Sequence, residues 1–324
     1  MKAIRILLRI LLAFIILLAL LAALIFGIRA WNQSGMEDMS LAVRPPDVEG
    51  VTITDFSDGY AKGFHLMPKE RKHPGTVVIF GGSEGSANPY DAAEIAKTGR
   101  EVYALYFFGQ EGQRENLVRV PLELFDDVLP HLSKPISVIG GSKGAELALM
   151  LSTYYPEIEY VAAIAPTEHH WQGLGGDYSK SSPSFTWKGE DLPYLDFRKT
   201  EGPILMNQMF RMLLALPVTF RDTYDSVLAR SSAEELERAR IKFENTETKY
   251  FLVAGEQDKM WNAAEASRKI KQRIGDRAET HIYPDAGHAP GAPETVGTLR
   301  LGGTEEANKA MDEDYMKKLD AWLP

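Results

Sequence analysis

"KPISVIGGSKGAELALMLSTYYP", Lys134 to Pro156, opens with a short β-branched and apolar run, Ile136 to Ile139, between Pro135 and a pair of glycines. That run reads as a buried strand. It closes with Ala145 to Tyr154, rich in Ala and Leu, which reads as a helix stopped by Pro156. Between them Gly140-Gly141-Ser142-Lys143-Gly144 fits G-x-S-x-G, the nucleophile elbow. A serine hydroxyl is a weak nucleophile and must be held at the rim of a sheet within reach of a base. A tight strand-to-helix turn holds it there. Gly140 and Gly144 lack a Cβ, so strand and helix can close on either side of a strained Ser142. The helix start then aims the Lys143 backbone N–H at the attacked carbonyl. By itself the pattern is weak in a chain with 27 glycines, and the flanking strand and helix are what give it weight. A phosphate loop is disfavoured, because neither G-x-x-x-x-G-K-[ST] nor G-x-G-x-x-G occurs here or at Gly81 to Gly85.

Working outward, the chain alternates strands and helices. Val51 to Phe56 and Tyr60 to Met67 predict an antiparallel hairpin around Ser57-Asp58-Gly59. Thr76 to Phe80 predicts a buried strand running into the loop "GGSEGS", followed by a helix near Asp91 to Thr98. "REVYALYFFG" predicts another strand, and Pro121 to Leu132 an amphipathic helix. After the elbow come strands at Tyr160 to Ala165, Lys249 to Val253 and Thr280 to Tyr283, with a helix at Ala263 to Ile274. Gly302-Gly303-Thr304 caps a terminal helix whose first turn holds Glu305 and Glu306, as the helix dipole favours. This is an α/β pattern, a mostly parallel sheet with helices on both faces. Residues 166–248 interrupt it and are expected to form a cap or lid. Within them Pro203 to Leu216 predicts an apolar helix. Its Met206, Met209, Phe210, Met212 and Leu213 are expected to line an acyl pocket or to pack onto the sheet.

The N-terminal segment has an uncharged run from Ile10 to Ile28, whose 19 residues at ~1.5 Å each match the hydrocarbon core of a bilayer. Lys2, Arg5 and Arg9 precede it and Arg29 alone follows closely. The positive-inside rule then predicts a transmembrane helix at 10–28 within an anchor of residues 1–30, with the N-terminus cytoplasmic and the rest exported. A cleaved signal peptide is the alternative, but Ile28 stands where a small residue should precede Ala30. Residues 31–48, with Pro45-Pro46, are expected to be a polar stalk, and 49–324 the catalytic domain.

Composition narrows the chemistry. Of 324 residues 44% are apolar and 25% charged, enough for one large α/β domain. The net charge is −9 although the first thirty residues carry four basic and no acidic side chains, so the body is more acidic still. That argues against a nucleic-acid partner. The absence of Cys excludes disulfides, a thiolate nucleophile and Cys-ligated zinc. No cofactor or metal is called for. The partner expected through the N-terminal helix is a membrane.

Three residues recur just after strands: Ser142, Asp258 and His288. In open α/β sheets ligands bind beyond the carboxyl ends of the strands, so the three should gather at one edge. Their order, Ser then Asp then His, is that of α/β-hydrolases. His288 would take the Ser142 proton, and Asp258 would fix the imidazole tautomer. Glu168 is a rival acid, and Asp285 lies too near His288 in the loop to be the first choice. Adjacent His169 and His170 point opposite ways along an extended chain and favour neither a metal pair nor a substrate contact. One oxyanion donor is expected at Lys143 N–H and the second at Ser83, with Gly82 and Glu84 as competitors.

From about Val51 onward the chain resembles the α/β-hydrolase domain shared by acyl-CoA thioesterases and bile acid-CoA:amino acid N-acyltransferases. "GGSKGAELAL", "GEQDKMW", "YPDAGHAP" and "GGTEEANKAMDEDYMKKLDAWL" carry the resemblance. It implies Ser142 as nucleophile, Asp258 as acid and His288 as base. Two departures matter. The eukaryotic members carry a β-sandwich domain in front, for which residues 31–75 are too short, and the amidating branch uses Cys where this chain has Ser142. The resemblance implies acyl-CoA hydrolysis, whereas an exported domain implies an extracytoplasmic acyl ester. A true acyl-CoA thioesterase or acyltransferase is the alternative, as is a non-catalytic hydrolase-fold interaction protein.

Overall fold

A computed structural model describes residues 2–34, 44–175 and 180–324, with the backbone alone at Lys2 and Ala3. Part of the expected stalk, residues 35–43, and residues 176–179 of the expected cap lie outside the described residues.

The chain begins with helix α1 (Lys2–Ser34), which is long and apolar enough to cross a bilayer and has its apolar side chains exposed. It continues past the apolar run into the first residues of the expected stalk. Strands β1 (Val51–Asp58) and β2 (Ala61–Pro68) form the hairpin, with Gly59 at positive φ and Tyr60 as its two-residue turn. There follow β3 (Thr76–Phe80), α2 (Pro89–Lys97), β4 (Glu101–Tyr106) and α3 (Leu124–Val128). Then come β5 (Ile136–Gly141), α4 (Lys143–Tyr154) and β6 (Ile158–Ile164). Helices α5 (Gly202–Leu213), α6 (Arg221–Arg230) and α7 (Ala233–Ala239) precede β7 (Lys249–Gly255). Helix α8 (Ala263–Ile274), β8 (Ala278–Tyr283) and α9 (Glu305–Trp322) complete the fold.

The eight strands lie in the order β1-β2-β4-β3-β5-β6-β7-β8. Pairing is antiparallel from β1 through β4 and parallel from β4 to β8. A parallel sheet needs both faces covered, and alternate residues serve the two sides. Val78, Phe80, Val138, Val161 and Leu252 join α3, α4 and α8 in one buried cluster. Val77, Ile79, Ile139, Ala162 and Phe251 join α2 and α9 in the other.

Two expectations change. The helix expected over residues 121–132 shrinks to α3 followed by a 3₁₀ turn at Leu129–His131, because Pro130 has no N–H for the α-helical ladder. The apolar residues of α5, expected to line an acyl pocket or pack on the sheet, are largely exposed instead. Met206 is 72% exposed, Met209 61% and Phe210 57%, while the one buried residue of the helix is the polar Gln208.

Residues 166–248 reach back over the start of α4. An extended segment, Thr167 to Leu174, bridges to Leu117, Pro183, Leu195 and Arg240. Trp171, Leu195, Tyr224 and Val227 pack with Ala254 and Trp261 in a third buried cluster.

Candidate active site

The turn from β5 into α4 carries Ser142 at φ 56° and ψ −120°, a conformation that costs an L-residue free energy and persists only where its surroundings impose it. Those surroundings are backbone. A Cβ on Gly140 would land on the Gly144 carbonyl, and one on Gly144 would land on the carbonyl of Gly81. The Ser142 N–H donates to Ile164 O at 2.8 Å, which ties the turn to the end of β6.

His288 lies in the loop between β8 and α9, and its Nε2 is 2.9 Å from Ser142 Oγ. Its Nδ1 is 2.9 Å from Asp258 Oδ2, in the loop after β7. The imidazole and the carboxylate are buried, whereas Ser142 is half-buried and open to a ligand. Asp258 Oδ1 accepts from the N–H groups of Met260 at 2.7 Å and Trp261 at 3.2 Å, so its second oxygen is left for the imidazole. Trp261 sets its ring edge-to-face on His288 at 4.6 Å and donates Nε1–H to the carbonyls of Ala165 and Pro166. The three side chains thus meet at the carboxyl edge of the sheet, each just beyond a strand.

Asn308, on the inner face of α9, holds the His288 loop. Its Oδ1 accepts from Gly287 N–H at 2.7 Å, and its Nδ2 donates to Ala292 O at 2.8 Å and Gly302 O at 3.1 Å. The His288 N–H donates to Leu301 O at 3.1 Å, and so does Lys259 N–H, which links the loops of the base and the acid through one strand-like segment. Sequence reasoning missed Asn308. Its signal was a polar residue on the buried stripe Asn308, Met311, Tyr315, Leu319.

The loop "GGSEGS", expected to supply the second oxyanion donor, lies beside the serine. Gly82 packs against Ser142, close enough that a Cβ on it would be 3.2 Å from the serine Cβ. Its N–H is already donated to Glu84 Oε1 at 2.8 Å, and Ser86 Oγ donates to the same oxygen at 2.7 Å. Among the described residues no acceptor takes the N–H of Ser83 or that of Lys143. Gly82 is therefore engaged elsewhere, and Ser83 N–H is the next donor along the loop. The Glu84 carboxylate rides on this loop, whereas the sequence reading named Glu84 only as a competing N–H donor.

Lys143 turns its side chain away from the site. Its Nζ donates to Glu146 Oε2 at 2.5 Å and to Ser184 Oγ at 2.7 Å, while Glu146 Oε1 accepts from Trp171 N–H at 2.9 Å. Burial pushes the Lys143 ammonium down and the Glu146 carboxyl up, and their mutual attraction opposes both shifts. The pair clamps the elbow helix to the 166–248 segment.

The rivals sit elsewhere. Glu168 pairs with Lys269 at 3.0 Å and Arg273 at 3.2 Å on α8 and makes no contact with His288. His170 donates Nδ1–H to Pro193 O at 2.9 Å and accepts from Phe185 N–H at 3.1 Å, a structural role. Burial pushes His169 down to about 4 and His170 to about 3, so both rings are neutral. Among the described residues no group of three His, Asp or Glu side chains is arranged to hold a metal.

Comparison with known proteins adds the family dimension. The family model described as BAAT / Acyl-CoA thioester hydrolase C terminal matches residues 125–295. Acyl-coenzyme A thioesterase 1 of Mus musculus is 25% identical over 278 residues, which are 79% of this chain and 59% of that protein. Acyl-coenzyme A thioesterase 6 of Homo sapiens is 24% identical over 70% of this chain and 51% of its own length. The chain thus spans little more than half of these curated relatives. Among solved structures, esterase B from Lactobacillus Rhamnosis (HN001) superposes with a TM-score of 0.50 at 13% identity, covering 93% of this chain and 94% of that one. An esterase from Pyrococcus furiosus also gives 0.50, at 15% identity over 88% of this chain and 98% of its own. At such identities these structures establish the α/β-hydrolase fold alone.

Proposed function

The chain belongs to the family of BAAT and acyl-CoA thioester hydrolase C-terminal domains, and from that premise we propose that it is a serine hydrolase of acyl esters or thioesters. The observation that carries this reading is the unbroken hydrogen-bonded line from Ser142 Oγ through His288 to Asp258. In the proposed reaction His288 Nε2 takes the hydroxyl proton as Ser142 Oγ attacks the acyl carbonyl. Asp258 holds Nδ1–H and stabilises the imidazolium. The N–H groups of Lys143 and Ser83 receive the oxyanion of the tetrahedral intermediate. Collapse breaks the bond to the alcohol or thiol, which leaves with the proton from His288. A water, deprotonated by the same imidazole, then attacks the acyl-enzyme and releases the acid. Ser142 in place of the amidating branch's Cys favours water as final acceptor.

The substrate reading follows from α1. We take it as an anchor with its N-terminus in the cytoplasm, which places the catalytic domain outside. Coenzyme A thioesters are intracellular polyanions, and an acidic body repels them. The natural substrate in this reading is an extracytoplasmic acyl ester.

The test uses the full chain in detergent, a fluorophosphonate probe and p-nitrophenyl esters. Labelling and turnover are expected in the parent protein, and Ser142→Ala should abolish the first and reduce kcat by several orders of magnitude. A parent chain that neither labels nor turns over is the outcome of the interaction-module alternative. A Ser142→Ala protein that keeps both properties overturns the assignment.

A further inference from the structure

Among the described residues, every exposed large hydrophobic side chain except Tyr90 belongs to α1 or α5. Helix α5 is built inside out. Its Gln208 points inward and donates to Thr219 O at 3.0 Å and to Thr223 Oγ1, while Leu205, Met206, Met209, Phe210, Met212 and Leu213 face solvent. A helix that turns a polar residue to the protein and six large apolar residues outward is made for an apolar medium.

The two apolar surfaces are joined. Arg29 donates to Met212 O at 2.8 Å and to Leu213 O at 3.2 Å, and Asn32 donates to Leu214 O at 2.8 Å. Together these cap the C-terminus of α5, where a cation is favoured. Arg29 directly follows the uncharged run that ends at Ile28, so α5 leaves the protein surface at the depth where α1 would emerge from hydrocarbon. A protein partner for α5 would have no reason to adjoin a membrane-spanning helix. A bilayer does.

The same region touches the acid loop. At the start of α6, the next helix after α5, Phe220 and Arg221 donate their N–H groups to Lys259 O at 3.0 and 2.9 Å, and Arg221 Nη1 donates to Asp258 O at 3.1 Å. Anchor, apolar helix and catalytic edge are thus linked in one run of contacts.

We propose that α5 is a membrane-docking helix, its Met-rich face immersed in the leaflet from which α1 emerges, so that the site draws an acyl ester resident in that leaflet. This rests on the reading of α1 as an anchor and deepens the proposed substrate from an extracytoplasmic ester to a bilayer-borne one. Interfacial helices bind through buried apolar area, and flexible Met, Leu and Phe side chains fit the disordered boundary of the acyl chains.

The chain has no cysteine, which makes single-site labelling clean. Full-length protein is reconstituted into phosphatidylcholine vesicles containing a nitroxide-labelled lipid, with a fluorophore on Met206→Cys, Met209→Cys, Ile16→Cys or Asp276→Cys. Quenching is expected at positions 206, 209 and 16 and not at 276, which is fully exposed at the opposite edge of the sheet. Quenching at 16 without quenching at 206 and 209 overturns the docking helix and leaves the anchor standing. No quenching at 16 removes the anchor and the proposal with it. Labels at 206 and 209 that are shielded from lipid and cross-link between copies make the face a self-association surface and overturn the proposal. The triple variant Met206→Glu, Met209→Glu, Phe210→Glu should lower turnover of a vesicle-borne acyl ester about tenfold relative to that of a soluble short-chain ester. An unchanged ratio overturns delivery from the leaflet.

Discussion

Asp258 and Glu168 are both carboxylates that follow a strand of the parallel sheet, and their surroundings separate them. Asp258 receives two backbone N–H groups on one oxygen and faces His288 with the other, while Glu168 is held by two cations of α8. Asp258→Asn should leave a folded protein whose kcat falls by about 10⁴, since the imidazole loses the group that fixes its tautomer. Glu168→Gln should change kcat little, and steady-state kinetics on one ester with both variants checks the pair. Glu84 gives a second prediction. Its carboxylate organises the oxyanion loop through Gly82 N–H and Ser86 Oγ but also brings a negative charge beside the site. In Glu84→Gln the amide oxygen retains both acceptor positions, so the kcat/KM ratio of acyl-CoA to a neutral ester should rise several-fold at low salt. Glu84→Ala, which releases the loop, should instead lower kcat for both. Ser142, Asp258 and His288 were legible in the sequence because each announces itself by following a strand. The carboxylate contacts of Glu84, and the roles of Glu146 and Asn308, were not, because what they do is set by partners that only the folded chain brings near.

At the scale of elements, strands and most helices, α5 among them, followed from periodicity, whereas the length of α3 and the surroundings of α5 did not. Pro130 cut the first short, and the second shows an apolar helix whose period says which residues share a face but not what that face meets. Helix α9 is more than cover for the sheet, because Asn308 spans three backbone groups of the loop that presents His288. Asn308→Ala strands the Gly287 N–H and the two carbonyls, and should cost about 1–3 kcal/mol of stability in urea unfolding. It should lower kcat with little change in KM, and Asn308→Asp should restore the acceptor but not the donors. The extended segment after β6 makes a pH prediction. His170 is satisfied on both ring nitrogens only when neutral, and burial holds it near 3 against 6.5 in an unfolded chain. As pH falls below about 6.5 the unfolded state takes up a proton that the folded ring refuses, so stability is present above that value and drains away towards pH 3. His170→Asn should flatten the loss of unfolding free energy between about pH 6 and 4 by up to about 1.4 kcal/mol per pH unit. Denaturant titrations across that range read the slope, and an unaltered slope would place the ring's protonation elsewhere.

With α1 read as an anchor, the side of the bilayer on which the chemistry takes place is a property of the whole molecule. Three features bear on it together. The charge before the uncharged run of α1 exceeds that after it, which favours retention of the N-terminus in the cytoplasm. The body is acidic and lacks cysteine, so export into an oxidising compartment costs it nothing through misplaced disulfides. Against these stands the family, whose matched relatives are named for acyl-coenzyme A, a substrate of the interior. The expected outcome is that protease added to intact cells degrades the catalytic domain, and that kcat/KM for a neutral lipid ester exceeds that for an acyl-CoA of the same chain length. The geometry makes the two results separable. In the proposed mechanism the N–H groups of Lys143 and Ser83 meet the carbonyl oxygen whatever the leaving group, so thioester hydrolysis should persist as a residual capacity even in an exported enzyme. A domain protected from protease, together with a preference for acyl-CoA, would reverse the orientation of α1 and return the substrate to the cytoplasm. Charge reversal offers the matching control. Moving the basic residues Arg5 and Arg9 to positions after Ile28 should invert the topology if the positive-inside bias sets it, and protease should then spare the domain it previously cut.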